Sequence, residues 1–286
     1  MKLACLRPAA FALVLATAAP ASADEAAVYY EQGLILKRQG KNEEAIEKVK
    51  QAVAARPKYA AAWFTLGNLY RRQGNNDEAL SAFRKAVSLQ PSNANVRANL
   101  GVLLVRMKHN DEGIKELVTA VSLDDGNYEA RYSLGMALRQ RGDYPKAIIH
   151  LRRATAIKPE EAPAWSNLGV ALSRTSDKEG AIKAFKRAIA LDPKNGQTHF
   201  NLAVTYRMQK NIDAAIPEYE EAVKLDPLLS GAWYDLGLLY TQDRRYDEAL
   251  AAFKKYLATN DKRDPAAQKD AQERIKSLEA AGSKKR

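Results

Sequence analysis

The sequence predicts an all-α solenoid built from antiparallel helix pairs, and three observations carry the prediction. A skeleton seen at its plainest in Trp63, Leu66, Gly67, Tyr70, Gly74, Ala79, Phe83, Ala86 and Pro91 returns, nearly unchanged, every 34 residues. Within each copy Trp63, Leu66, Gly67 and Tyr70 stand at i, i+3, i+4 and i+7, one stripe of a helix, and Ala79, Phe83 and Ala86 make the stripe of a second. Between the stripes, Gly74, Asn75 and Asn76 supply turn chemistry, which folds the second helix back on the first. Two short helices cannot enclose their own apolar faces, so each pair has to stack on the next.

At the N-terminus, Lys2 and Arg7 precede the apolar run Ala9 to Ala19, which is followed by Pro20 and the small triplet Ala21-Ser22-Ala23. This is the layout of a secretory signal peptide over residues 1–23, with cleavage expected before Asp24. The run falls short of the roughly 20 residues needed to cross a bilayer, so the expectation is export, periplasmic or secreted, with no membrane span in the mature chain. Cys5, the one cysteine of the 286 residues, lies inside that segment. The mature chain would then hold no thiol for a disulfide, a thiolate metal site or a nucleophile.

Seven repeats occupy residues 24–263, starting near 26, 60, 94, 128, 162, 196 and 230. Repeat one carries Tyr29, Gly33, Leu36, Gly40 and Val49, with the polar Gln32 tolerated because an end repeat lacks one neighbour. Repeat three departs most: Arg97 replaces the aromatic, Lys108 the turn glycine and Asp125 the closing proline. Gly113 adds a helix cost of ~1 kcal/mol relative to alanine, so a locally softer or kinked solenoid is expected there. Repeat four has Leu134, Gly135 and Gly142, with Pro145 at the first position of its second helix, where a missing N–H costs little. Repeat five restores Trp165, Leu168, Gly169 and Phe185 and reads as regular as repeat two.

Repeat six places His199 and Ala203 at the aromatic and glycine positions, and Pro217 early in its second helix predicts a bend rather than a break. Repeat seven has Trp233, Gly237 and Phe253, then Tyr256 where alanine is usual, free to pack on the chain beyond it. That chain opens with the helix start Asp264-Pro265 and carries Ala267, Ala271, Ile275 and Leu278 on one face. It reads as an amphipathic capping helix over 264–280, with 281–286 as a disordered basic tail.

Period and residue types together resemble the tetratricopeptide repeat (TPR) family, with about eight marker positions in each copy. The resemblance implies a right-handed superhelix whose first helices line a concave groove, and a non-catalytic scaffold that holds a peptide segment of a partner there. Three rows of residues fall on that wall. The sixth repeat position reads Glu31, Thr65, Asn99, Ser133, Asn167, Asn201 and Asp235, flanked by Asn68. An asparagine offers donor and acceptor together to an extended backbone, and the row resembles the asparagine ladder in the repeats of O-linked N-acetylglucosamine transferase. The fifth position reads Tyr30, Phe64, Tyr132, Phe200 and Tyr234 across five repeats, either anchoring sites for partner side chains or packing against the neighbouring repeat's first helix. Arg38, Arg71, Arg72, Arg106, Arg139, Arg174 and Arg207 form a basic edge, read either as an electrostatic rail for a peptide or as solvated helix ends complementing the dipole.

The family's clamp for a chaperone's C-terminal carboxylate is not predicted: Asn68 and Asn99 fit, but Phe64 stands where lysine is needed, and Glu129 and Ser133 where two basic residues are. A formal net charge of +11 favours acidic partners. His109, His150 and His199 share no spacing for a metal site or a triad, Asp124-Asp125-Gly126 lacks a calcium loop's ligand spacing, and there is no glycine-rich phosphate loop. No metal, no cofactor and no enzymatic activity are therefore expected. The leading expectation is a scaffold or adaptor in the periplasm or cell envelope, within secretion, pilus, gliding motility or cell-wall machinery. A polyanion binder using the basic edge, with nucleic acid ranked low, and a subunit that positions substrate for a separate enzyme are the alternatives.

Overall fold

The computed structural model describes residues 23–259 and 264–283, so the expected signal segment lies outside the described residues except for Ala23, as do 284–286 of the tail. The chain divides into two compact units, residues 1–91 and 92–286, and the division falls at the start of repeat three. The first unit holds α1 (Ala23–Arg38), α2 (Asn42–Ala55), α3 (Ala60–Gln73) and α4 (Asn76–Leu89). In the second come α5 (Ala94–Arg106), α6 (Asn110–Leu123), α7 (Tyr128–Gln140), α8 (Tyr144–Ile157), α9 (Ala162–Ser173) and α10 (Lys178–Leu191). They are followed by α11 (Gly196–Met208), α12 (Ile212–Leu225), α13 (Ser230–Gln242), α14 (Tyr246–Ala258) and α15 (Pro265–Ser283). The described residues contain no strand.

In every pair but the sixth, where Ala203 takes its place, the helices meet where a glycine of the first faces a large side chain sixteen residues on. A Cβ added at Gly67 would lie 2.6 Å from the Phe83 ring, at Gly135 2.6 Å from Leu151, and at Gly169 2.7 Å from Phe185. Those large side chains are fully buried, so the space is already filled. Gly113, the apparent weak point of repeat three, has the same role from the other side. A Cβ there would come within 2.9 Å of the Gly101 carbonyl oxygen and 2.7 Å of Val105 Cγ2. The glycine that lowers helix propensity is what lets α5 and α6 approach.

Arg97 and His199, at the aromatic position, also need a different reading, and Arg131 holds the same position in repeat four: in these repeats the side chain supplies a planar N–H as well as apolar area. Trp63, Trp165 and Trp233 donate from Nε1 to the carbonyls of Pro57, Pro159 and Pro227 at 2.9, 2.9 and 3.0 Å, tying each first helix to the end of the helix before it. Arg131 reaches the equivalent carbonyl of Asp125 from Nε at 3.5 Å, and His199 Nε2 lies 3.3 Å from that of Pro193. Their remaining nitrogens find partners on the second helix: Arg97 donates to Glu116 at 2.6 Å, and His199 Nδ1 is 2.7 Å from Glu218.

Six turns contain a left-handed residue, Gly40, Gly74 and Gly142 but also Lys108, Lys210 and Arg244 at φ 66, 60 and 62. In each, the following N–H bonds to the carbonyl five residues back, as in His109 to Leu104 at 2.8 Å, the wrap that closes a helix C-terminus. Two boundaries shift: α8 begins at Tyr144, which makes Pro145 its second residue, and α15 continues to Ser283, so residues 281–283 are helical and not part of a loose tail. α12 runs through Pro217 without a break. Tyr256 is buried beneath the C-terminal helix, whose Ala271 is also fully enclosed.

Candidate functional site

On the first-helix face, the predicted residues are engaged with the protein itself. In the first unit, Phe64 packs on Phe83 at 5.9 Å between centroids, Tyr30 shares a hydrogen bond of 3.0 Å with Thr65, and Asn68 donates to the Phe64 carbonyl while accepting from Arg71, both at 3.1 Å. In the second, Phe200 meets Tyr219 edge-on at 5.8 Å, and Tyr234 sits against Phe253 and Tyr256 at 6.0 and 5.2 Å. Phe64, Phe200 and Tyr234 therefore lean on the second helix of their own repeat, and Phe200 also faces the neighbouring first helix, where a Cβ added at Gly231 would lie 3.5 Å from its ring. Tyr132 stacks instead on Tyr128 of its own helix at 5.8 Å.

The tyrosine hydroxyls cross to the next repeat. Tyr132 accepts from Asn167 at 3.1 Å and Tyr234 donates to Asp270 of α15 at 2.8 Å. Burial, reinforced by the Asp270 carboxylate, pushes the Tyr234 phenol up to about 12, so it stays a donor at neutral pH. The asparagine row is likewise tied down: Asn99 donates to the Asn95 carbonyl at 2.8 Å, Asn167 to that of Pro163 at 2.8 Å, and Asn201 accepts from Gln197 at 3.2 Å. Asp235 is an internal acceptor. Its carboxylate takes the Tyr219 hydroxyl at 2.7 Å and lies 3.5 Å from Arg207, and burial raises its pKa despite both partners.

The basic residues divide in the same way. Arg38, Arg72, Arg106 and Arg174 are exposed, whereas Arg71 is bonded to Asn68 and the Nε of Arg139 is buried. Arg207 is drawn onto Tyr219 and Asp235; burial, the largest single influence, would lower its pKa, but the Asp235 charge and the Tyr219 hydroxyl together outweigh that and raise it. As an electrostatic rail Arg207 is largely neutralised, and the seven residues are split between the two units.

Two open cavities remain on the first-helix face of the second unit. One, of about 420 Å³, lies between α11, α13 and the start of α15 and is lined by Phe200, Tyr234, Leu228, Gln197 and Ala267. A smaller one, of about 190 Å³, reaches back past Gln197 to Ser166 and Asn167 between α9 and α11. The arrangement brings Asn167, Phe200 and Tyr234 to one surface. Leu228, 78% exposed at the rim, is missing from the sequence reading. Its signal was present: Leu228-Leu229 comes after Pro227 where Lys58, Glu160 and Lys194 come after Pro57, Pro159 and Pro193.

Among the described residues no three or more His, Cys, Asp or Glu side chains gather to hold a metal ion, and no helix is long and apolar enough to cross a membrane. His150 is pushed down by burial and by Arg131, whose Nη1 lies 2.9 Å from its Nδ1, and both residues serve packing.

The family model described as tetratricopeptide repeat matches residues 30–94, 99–164, 151–196, 166–230 and 200–267, and a second of the same description matches 70–122. No curated protein matches the chain. Among solved structures, a tetratricopeptide repeat protein from Parabacteroides merdae is similar at 18% identity and TM-score 0.61, covering 89% of this chain and 99% of its own. PilW, a type IV pilus biogenesis factor, is similar at 20% and 0.59, covering 70% and 92%. YrrB, described as a TPR protein with an unusual peptide-binding site, is similar at 22% and 0.58, covering 63% and 92%.

Proposed function

Because the chain belongs to the tetratricopeptide repeat family, we propose that it is a non-catalytic scaffold that holds a peptide segment of a partner protein on the first-helix face of α9, α11 and α13. One observation carries it: the cavity of about 420 Å³ with an aromatic floor of Phe200 and Tyr234 and the exposed Leu228 at its rim, continued past Gln197 toward Asn167. An apolar anchor of the partner enters the first cavity, where burying one large side chain contributes about 1.5–3 kcal/mol, and backbone groups of the same segment meet the amides of Gln197 and Asn167. The exposed guanidinium groups of Arg106 and Arg174 favour an acidic segment. Residues 1–23 carry the signal layout, which supports work in the periplasm or cell envelope. The likeness to PilW and to the peptide-binding YrrB supports the fold on which such work is done.

The test is affinity capture from the host envelope with the wild-type chain, the Asn167→Ala, Asn201→Ala double variant and Leu228→Glu. A partner held by the wild type should be lost by both variants while their helical circular dichroism is unchanged. Capture at wild-type affinity by both would overturn the assignment of this face.

A further inference from the structure

A second surface lies on the opposite side of the helix pairs, between consecutive second helices. In the second unit a cleft of about 570 Å³ separates α8 from α10 over a floor of Trp165, Leu168 and Leu172 from α9. In the first unit a cleft of about 750 Å³ separates α2 from α4 over Trp63, Leu66 and Tyr70. The two floors occupy the same repeat positions three repeats apart, but their rims differ in charge. Asp77, Glu78 and Lys50 edge the first cleft. Arg152, Lys183 and Arg187 edge the second, and no carboxylate lines it.

The cationic rim is not consumed internally. Arg152 pairs with Asp177 at 3.4 Å with both side chains about half exposed, a contact of small worth, while Lys183 and Arg187 are exposed and make no ion pair among the described residues. Elsewhere in the same unit an acid bridges the equivalent space. Over repeat seven, Glu220 accepts from Tyr240 at 2.6 Å and faces Arg245 at 3.7 Å; over repeat six, Glu218 meets His199 at 2.7 Å. Over repeat five the position equivalent to Glu220 is Arg152, on the second helix of repeat four, and the one equivalent to Glu218 is Ala184 of repeat five itself. Both closing acids are absent and the floor stays open. The Trp165 indole, held by its bond to Pro159, forms a rigid apolar surface.

We propose that the α8–α10 cleft is a second docking site, independent of the first-helix face, that takes an acidic amphipathic helix of a partner protein. A trough between two helices accepts the apolar ridge of a third through anchors at i, i+3 or i+4 and i+7. Carboxylates flanking that ridge meet Lys183 and Arg187, supplying the charge that this cleft lacks and its counterpart in the first unit already has.

The probes are two labelled 18-residue helical peptides with the same leucine and tryptophan ridge, one flanked by glutamates and one by lysines, titrated against the full chain by fluorescence anisotropy. The glutamate peptide should bind about tenfold more tightly, and Lys183→Glu, Arg187→Glu should remove or reverse that preference. Both substitutions are at exposed helix positions, and an unchanged thermal melt will show that the fold is kept. Leu228→Glu, on the other face, should leave this binding unchanged even if it abolishes the capture described above. Equal binding of both peptides, no binding of the glutamate peptide, or a preference untouched by the charge reversal overturns the proposal. Charge-dependent binding to phosphatidylglycerol vesicles without peptide binding overturns it in favour of a membrane surface.

Discussion

Repeats five and six stand side by side and depart from the common pattern in opposite ways. Repeat five keeps Trp165, Leu168, Gly169 and Phe185, yet its turn has no left-handed residue: Thr175 N–H donates to the Leu172 carbonyl at 2.9 Å and Asp177 N–H to Thr175 Oγ1 at 3.3 Å. Repeat six has His199, Ala203 and Lys210 in place of tryptophan and two glycines, yet keeps the closing bond from Asn211 N–H to the Tyr206 carbonyl at 3.0 Å. The lesson is that a repeat is defined by the contacts its backbone must make, which more than one set of side chains can supply. The core shows it most clearly. Phe185 lies against a bare Gly169, whereas Ala203 carries a Cβ and the ring opposite is Tyr219, whose hydroxyl donates to Asp235 and accepts from Arg207 at 3.2 Å.

That difference can be broken at its polar end first. Asp235→Ala strands the Tyr219 hydroxyl and one side of Arg207, and should cost about 2–3 kcal/mol in urea unfolding. Asn201→Ala, at the equivalent position beside repeat five, should stay within roughly 0.5 kcal/mol because no hydroxyl depends on it. Similar losses in the two variants would mean that the Tyr219 network contributes nothing particular to repeat six. Next in size, Gly169→Ala drives a Cβ to 2.7 Å from Phe185 and should lower stability by about 1–3 kcal/mol despite the better helix former. Ala203→Gly, the reverse change, should cost about 1 kcal/mol from propensity alone. A Gly169→Ala chain that melts with the wild type would show that Phe185 can move aside.

A pH series sharpens the same contrast. Burial raises the Asp235 carboxyl above its ordinary value, against the pull of Tyr219 and Arg207, so the folded state holds this proton more tightly than the unfolded chain. Its contribution is therefore full below the ordinary carboxylate range near pH 4 and is lost as pH rises through the raised value. Asp125 and Asp270, held low by hydrogen bonds from Arg153 and Arg274, slope the other way, so the measurement is the difference between wild type and Asp235→Asn. That difference should shrink from pH 4 toward neutrality, and a flat difference refutes the assignment. The smallest effect concerns the turns. Lys210→Gly relieves a left-handed residue at φ 60 and should raise stability by about 0.5–1 kcal/mol, whereas Ser176→Gly, with no such strain, should give no gain. A matching gain at Ser176 would place the benefit outside backbone strain.

Much of the fold was legible in the sequence. The starts expected at 60, 94, 128, 162, 196 and 230 are the first residues of α3, α5, α7, α9, α11 and α13. Helix periodicity and turn chemistry act within one repeat, over spacings that can be counted along the chain. The candidate site was legible only as a face. Asn167, Phe200 and Tyr234 do share one surface, but that the asparagines turn back to their own helices, and that Tyr132 and Tyr234 reach 35 and 36 residues ahead, depends on how neighbouring repeats stack. Gly113 reads as a weakness until the Gly101 carbonyl is seen against it.

The sequence by itself determined the period, the helix pairs and the small residues at their crossings, because each of these is a local demand of backbone geometry and apolar burial. Only the tertiary structure decided which polar groups are spent inside the protein and which clefts stay open. A rim such as that of Arg152, Lys183 and Arg187 is drawn from two helices about one repeat apart, and whether an acid closes it depends on the distance and angle between them.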